Sequence, residues 1–377
     1  MQSNSPFPRK VALLCGGPSA EHVVSLTSAR CVAHALDRHR YRLRVFAIME
    51  DGTWVCPDEE WDGSTVPSRI EKLFDLLDNP EYCPSGYFKV RPAVEGIRRM
   101  CEWGPAIVLP IMHGAYGEDG RLQGMLDFLG VPYIGSGVTA SALAMDKRRA
   151  SNFLGAQGVR VPRHVILRSA SPRAHREDQL QGAGTLLGWP IIVKPSRGGS
   201  SVATALAHDT DSLHRAVARA FEIDTEVLME EYVRGTEVTC GVLDLAEGYG
   251  GRLVCPPTEI RTRGGELFNF DSKYRPGAIE EITPAQLPEP VIHRIQTIAE
   301  KAHELLGCVG VSRTDMIIPE DGQPVFLETN TLPGMTSTSL LPQGAAELGI
   351  SMTAMLTGLI EGVFETMIEK KARDDRF

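Results

Sequence analysis

No apolar run in the 377-residue chain approaches the ~18 residues that a membrane-crossing helix needs. The opening MQSNSPFPRK is polar and lacks the apolar stretch of a secretion signal, so a soluble, cytoplasmic protein is expected. There is no block of basic residues either. Lys and Arg number 39 against 48 Asp and Glu, a net charge of −9, so neither nucleic acid nor an anionic membrane is an expected partner. A pocket on an acidic protein can still be locally basic. The eight cysteines (15, 31, 56, 83, 101, 240, 255 and 308) form no CxxC pair, which leaves reduced, structural thiols as the expectation. The phosphate signature GxxxxGK[ST] is missing, so no Walker loop is present. No GxGxxG follows the first apolar run, which weakens a dinucleotide oxidoreductase. Internal repeats and low-complexity segments are absent.

What is present is a globular composition, 42% hydrophobic, with length for two or three domains. KVALLCGG (10–17) is a buried strand stopped by glycines. SAEHVVSLTSARCVAHAL comes next as a helix capped by Ser19, with Glu21 in its first turn and Val23, Leu26, Ala29, Ala33 and Leu36 on one apolar face. YRLRVFAIM (41–49) is the next strand. This β-α-β start predicts a parallel sheet covered by helices, an α/β class. YFKV and RPAV are possible strands in an irregular region from about 55 to 103. AIVLPIMHG (106–114) and VPYIGSG (131–137) read as strands, and a boundary falls near residue 140. Beyond it, 140–158 reads as one helix ending at glycine, and 169–184 as a polar connection or poorly packed helix. WPIIVKP, EVLMEEYV, GTEVTCGVLDL, GRLVCPPTEI and PVFLETN read as strands, and 292–307 as a periodic helix.

VKPSRGGSSV (193–202) raises the first chemical question. A buried strand leads into Lys194 and then into a small, polar loop. Adjacent glycines let backbone approach a ligand, and the hydroxyls of Ser196, Ser200 and Ser201 suit phosphate oxygens. A second cluster sits on two strands. Side chains two apart share a strand face, so Phe326, Glu328 and Asn330 are expected on one face of PVFLETN, and Arg313 and Asp315 on one face of VSRTDMII. If the strands are neighbours, Asp315, Glu328 and Asn330 converge as hard oxygen ligands for Mg²⁺, with Arg313 beside them. Gly334 of PGMTS can bring an amide to an oxyanion. GGPSAE places a helix start after a strand, a seat for an anion or carboxylate. His113 ends a buried strand and can touch substrate or hold structure. The long stretch 262–284, with Lys273 and Tyr274 at its centre, reads as a lid or as an exposed loop.

Together, GGPSAEHVVSL, HGAYGEDG, MDKRRA, VKPSRGGSSV, MEEYVRGTEV, DSKY, SRTD and ETNTLPGMTSTSL resemble, in order and over nearly the whole chain, the D-alanine–D-alanine ligases. These are ATP-grasp enzymes of bacterial cell-wall (peptidoglycan) synthesis. The resemblance implies three parts: a Rossmann-like, doubly wound substrate domain (1–139), a central ATP-grasp subdomain (140–232), and a C-terminal ATP-grasp subdomain with metal site and lid (233–377). It implies ATP and Mg²⁺ or Mn²⁺ as cofactors, D-alanine as substrate, and a homodimer. Lys147 and Lys194 correspond to phosphate lysines, Glu230, Glu231 and Val233 to the hinge beside adenine, and Glu237 to the ribose acid. Ser200 and Ser201 lie in the phosphate flap, and Lys273 corresponds to the lid lysine. Glu21, Ser200 and Tyr274 correspond to the trio joining first helix, flap and lid. Arg313 and the Gly334 amide correspond to the oxyanion site, and Ser339 and Leu340 to the second D-alanine's carboxylate. The chain departs from the usual pattern at Gly198, at Ala203 where glycine is usual, and in the lid FNFDSKY. Tyr274 favours an amine acceptor over the hydroxyl of D-alanine–D-lactate ligases. D-lactate and D-serine ligases, and a non-catalytic nucleotide-binding protein, are the alternatives.

Overall fold

The computed structural model describes residues 8–57, 71–75, 87–199, 203–262 and 279–374. Three sheets organise them. The first has the order β4-β3-β2-β1-β5, with β1 Arg9–Gly16, β2 Tyr41–Ile48, β3 Trp54–Pro57, β4 Tyr87–Val90 and β5 Ile107–Ile111. β1 runs parallel to β2 and β5, while β3 and β4 add antiparallel strands at one edge. Helices on either side of β1 force it to be apolar on both faces, and Val11 through Cys15 are buried without a break.

The first helix, α1 (His22–Ala35), starts later than the sequence suggests. Ser19 is not its cap. The Ser19 hydroxyl instead donates to the His113 carbonyl (2.8 Å) and accepts from the Glu21 amide (3.2 Å), so it ties the turn after β1 to the end of β5. Leu26, Ala29, Ala33 and Leu36 are buried as expected, but Val23 is 71% exposed. YFKV is strand β4, whereas Ala93 opens helix α2 (Ala93–Trp103), because Pro92 suits a helix start and not a ladder. The 131–137 segment contributes only an isolated bridge between Val108 and Tyr133. Helix α3 spans Arg121–Phe128.

Residues 138–156 form two helices, α4 (Val138–Met145) and α5 (Lys147–Ala156), not one. Asp146 breaks the run: its carboxylate caps α5 by accepting from the Arg149 amide at 2.9 Å. The second sheet has the order β6-β9-β7-β8: β6 His164–Arg168, β7 Ile191–Pro195, β8 Ala205–Ala207 and β9 Glu226–Glu231. The polar 169–184 stretch is an ordered helix, α6 (Arg173–Leu187), which buries Leu180, Ala183 and Leu187. With α7 (Thr210–Phe221), started by an Asp209–Ser212 capping box, it closes a core private to this sheet.

The third sheet runs β13-β12-β10-β14-β15, with β11 on β10: β10 Thr236–Asp244, β11 Arg252–Val254, β12 Thr258–Thr262, β13 Ile279–Ile282, β14 Val311–Ile318 and β15 Val325–Asn330. α8 (Glu289–Leu306) covers it, and α9 (Leu340–Glu347) and α10 (Met352–Asp374) follow the last strand. The largest core joins the first sheet to the third, from Val11 and Leu13 through Leu243 and Val311 to Met355, Leu359 and Ile360. Glu361 on α10 receives the Tyr41 hydroxyl and the Arg9 guanidinium, both at 2.7 Å. Among the described residues no single helix is long and apolar enough to cross a membrane. Five of the seven described cysteines are buried and all are free; burial pushes the Cys15 thiol up to about 12.

Candidate active site

A cavity of about 510 Å³ opens where the three sheets meet, lined from all of them. Its polar floor comes from β14 and β15. Their antiparallel register sets Arg313 opposite Asn330 and Asp315 opposite Glu328. Arg313 forks onto Asp315, both contacts at 2.9 Å, and Asn330 donates to the same carboxylate at 3.2 Å. Thr239 on β10 adds a hydroxyl to Asp315 at 2.5 Å. Lys147, the first residue of α5, reaches Glu328 at 3.0 Å and the Gly198 carbonyl at 2.6 Å. Burial by itself would weaken the charge of Arg313, but the Asp315 carboxylate more than offsets it and holds the guanidinium above its ordinary range. Lys147 is raised in the same way: desolvation opposes its charge, and Glu328 prevails.

One expected alternation fails. Phe326 does not share a face with Glu328 and Asn330; it is fully buried against α4, α5 and α8. The register shift between Asp315 and Met316 inserts Leu327 as an extra residue, so Met316 pairs with Phe326. A bulge of this kind reverses the facing of the strand beyond it. Leu327 thereby lines the cavity with Ile192, Ile260 and Ile317, an apolar slot that the sequence does not single out.

The second sheet supplies Lys194 and Glu230, paired at 2.7 Å with side chains only 11% and 4% exposed. Glu231, Val233 and Glu237 also line the cavity, although the Glu231 carboxylate is held by Arg163 at 2.6 Å. Ser196 requires correction as a ligand-facing residue. It is fully buried, and its hydroxyl donates to Asp146 at 3.2 Å. It braces the loop base, together with the Lys147 amide on its carbonyl (2.9 Å) and the Arg197 fork on Asp224. Beyond this base Ala203 has φ +56°, a left-handed conformation that costs a non-glycine residue about 1–2 kcal/mol, consistent with glycine being usual there. Ser200, Ser201, Lys273 and Tyr274 lie outside the described residues.

The first sheet contributes Glu21, His113 and Glu118. Two glycines shape the seat of Glu21: a Cβ at Gly114 or Gly199 would fall within 2.4 or 2.2 Å of its Oε2. The α1 start and the flap base are therefore in contact. His113 is buried, with its ring Nδ1 on the Leu332 carbonyl (2.8 Å) and Nε2 on the Ser28 hydroxyl (2.9 Å). These bonds tie β5 to the loop after β15, so the ring's visible role is to position that loop. Gly334, Ser339 and Leu340 line the cavity, and the Ser339 hydroxyl accepts from the Thr336 amide at 3.0 Å. Glu118 is a functional-looking group that sequence reasoning misses; its only signal is an acid inside the glycine-rich HGAYGEDG.

Residues 10–136 match the family described as D-ala D-ala ligase N-terminus, and 153–361 the one described as D-ala D-ala ligase C-terminus. The chain belongs to the D-alanine–D-alanine ligase family. Members of this family have the ATP-grasp fold, which the second and third sheets form here. A D-alanine–D-alanine ligase of Leptospira interrogans is 38% identical over 353 residues, covering 93% of this chain and 97% of the relative. Among solved structures, the VanG D-Ala:D-Ser ligase of Enterococcus faecalis superposes with a TM-score of 0.77 at 31% identity, over 95% of this chain and 100% of the other. The D-alanine–D-alanine ligase of Coxiella burnetii gives a TM-score of 0.76 at 26% identity, covering 97% of each chain.

Proposed function

We propose that this protein joins two D-alanine molecules into D-alanyl-D-alanine for peptidoglycan synthesis, using ATP and passing through an acyl phosphate. The observation that carries this reading is the convergence of Arg313, Asp315, Glu328, Asn330 and Lys147 on one cavity that also has an apolar slot. The slot of Ile192, Ile317 and Leu327 suits a purine, the Glu231–Val233 edge its polar rim, and Glu237 the ribose. Lys147 and Lys194, with the flap of Ser200 and Ser201 and the lid lysine Lys273, hold phosphates. Asp315, Glu328 and Asn330 offer two carboxylates and an amide, a hard oxygen set that fits Mg²⁺ or Mn²⁺. Such an ion, when bound, neutralises phosphate charge.

The protein's own groups then act in order. Glu21 holds the ammonium of the first D-alanine, whose carboxylate attacks the γ-phosphorus. Ser200 and Tyr274 link Glu21 to flap and lid and exclude water, which protects the acyl phosphate. Ser339 and Leu340 seat the second carboxylate, and His113 holds their loop in place. Arg313 and the Gly334 amide stabilise the tetrahedral oxyanion. The division at 139/140 and 232/233 assigns each sheet its own segment. We place the enzyme in the cytoplasm as a homodimer, which light scattering of the purified protein tests.

Incubating the protein with ATP and D-alanine is expected to release phosphate and yield the dipeptide, identified by mass. ATP binding without any joined product would overturn the reading. D-serine as acceptor is the second reading, favoured by the likeness to a D-Ala:D-Ser ligase, and competition between D-serine and D-alanine decides it.

A further inference from the structure

The joining step needs a proton acceptor, and no residue assigned above supplies one. The second D-alanine arrives as an ammonium, which has no lone pair to attack a carbonyl. Asp315 is already forked by Arg313, and Glu328 is paired with Lys147. Glu21 serves the first ammonium. Among the described residues, the remaining carboxylate at this end of the cavity is Glu118.

Resting on the dipeptide-ligase reading above, we infer that Glu118 is the catalytic base that takes the proton from the second D-alanine's ammonium. Its position is built by its main chain. The Glu118 amide donates to the Gly114 carbonyl at 2.9 Å, and Gln123 on α3 donates to the Gly117 carbonyl at 2.7 Å, so the turn after β5 is held at both sides. The residue is 8% exposed, and it lines both the main cavity and a small chamber shared with Lys147, Gly198, Gly199, Glu328 and Asn330. It thus stands between the flap base and the floor, near enough to Arg313 to feel its charge.

The charged and titratable groups around it come from five elements. Glu21 precedes α1, His113 follows β5, Lys147 opens α5, Arg313 lies on β14 and Glu328 on β15. His113 Nδ1 is 4.0 Å from Oε1, at the outer limit of an ion pair, and is bonded to the Leu332 carbonyl. Burial and the like charges of Glu21 and, more weakly, Glu328 push the Glu118 carboxyl well above the ordinary range; Arg313 and the Gly114 backbone work the other way. A carboxylate raised above its ordinary range holds a proton more strongly than a solvated one, as a base must.

The step balances without a further reactant. The ammonium gives one proton to Glu118. The freed lone pair forms the C–N bond, the carbonyl electrons moving onto oxygen as the tetrahedral oxyanion, which collapses as the C–O bond to phosphate breaks. The second proton shed by nitrogen leaves on the departing phosphate, and Glu118 releases its own to solvent.

The test uses the full-length protein with two acceptors: D-alanine, and hydroxylamine, which is uncharged at neutral pH and needs no base. In Glu118→Gln, dipeptide formation is expected to fall ~10²–10⁴-fold while hydroxamate formation stays near the wild-type rate. Glu118→Asp is expected to retain an intermediate dipeptide rate, with the acid limb of its pH profile moved to lower pH. Dipeptide formation by Glu118→Gln at the wild-type rate would overturn the inference. So would an equal fall in both products, which marks a merely structural role. Should the variants fail to fold, the wild type decides: with rates expressed per uncharged hydroxylamine, an acid limb seen with D-alanine and absent with hydroxylamine is expected, and identical limbs refute the role. A wild type that makes neither product overturns the ligase reading as well, whereas a wild type that makes both beside an unchanged Glu118→Gln overturns only the role of Glu118.

Discussion

Two antiparallel strand pairs line the cavity, and they handle charge differently. On β7–β9 a single ion pair, Lys194–Glu230, sits almost out of water, each with one partner among the described residues. On β14–β15 the charges are shared: Asp315 has Arg313, Asn330 and Thr239, while Glu328 has Lys147 from another element. An isolated buried pair depends wholly on its one contact, because each ion left alone bears the full desolvation cost. A shared cluster can admit a phosphate or a cation and still leave every member with a partner. The first pair is thus chiefly a tie within the sheet until a ligand competes for Lys194, and the second is the place for changing charge.

Breaking the isolated pair should show the largest effect on stability. Lys194→Met leaves Glu230 buried and unpaired, and is expected to cost about 3–5 kcal/mol, read as a fall in the denaturant midpoint. Adding Glu230→Leu should restore most of that stability without restoring ATP binding. A single-variant loss under about 1 kcal/mol, the value of a surface pair, would break the contrast.

The bulge in β15 sharpens it. Phe326→Ala is expected to cost about 3–5 kcal/mol of stability with ATP affinity in the remaining folded protein little changed. Leu327→Ala should do the reverse, weakening ATP binding with a small stability loss. Equal effects of the two on both measurements would refute the assigned facing.

In the shared cluster, Arg313→Met should lower the rate of dipeptide formation by about 10²–10³-fold, with modest loss of stability since Asp315 keeps Asn330 and Thr239. Arg313→Lys should recover little, because an ammonium cannot reproduce the fork.

The smallest effect lies outside the cavity. Burial would raise the Asp244 carboxyl, but hydrogen bonds from His303 and Arg252 prevail and push it down to about 2. A depressed carboxyl stabilises the fold at pH above its unfolded value, near 4, and that share is lost as pH falls towards 2. Urea midpoints of the wild type should therefore fall over this window more than those of Asp244→Asn, by on the order of 1 kcal/mol.

Much of the floor was legible without coordinates. Period-two facing placed Arg313 with Asp315 and Glu328 with Asn330, since that rule depends only on a strand being a strand. Three things were not legible. The bulge at Leu327 depends on how β15 registers on β14, which no local pattern encodes. Ser196 looked like a phosphate donor because small hydroxyl residues beside glycines serve loops and ligands alike; Asp146, fifty positions away in the chain, claims its hydroxyl. The α6 segment reads as a connection or a poorly packed helix because its apolar residues are few, yet they suffice once a sheet faces them.

By itself the sequence determined the alternating strands and helices, the family, and the chemical kinds of group available at each strand end, because periodicity, turn chemistry and motif order are local properties. Only the tertiary structure decided which acids stand beside which cations, that the core of the first sheet continues into the last helix, and that Glu118 is drawn into the cavity. Those outcomes depend on burial and on contacts between residues far apart in the chain, and the free energy of a charge is set by what surrounds it rather than by its neighbours in sequence.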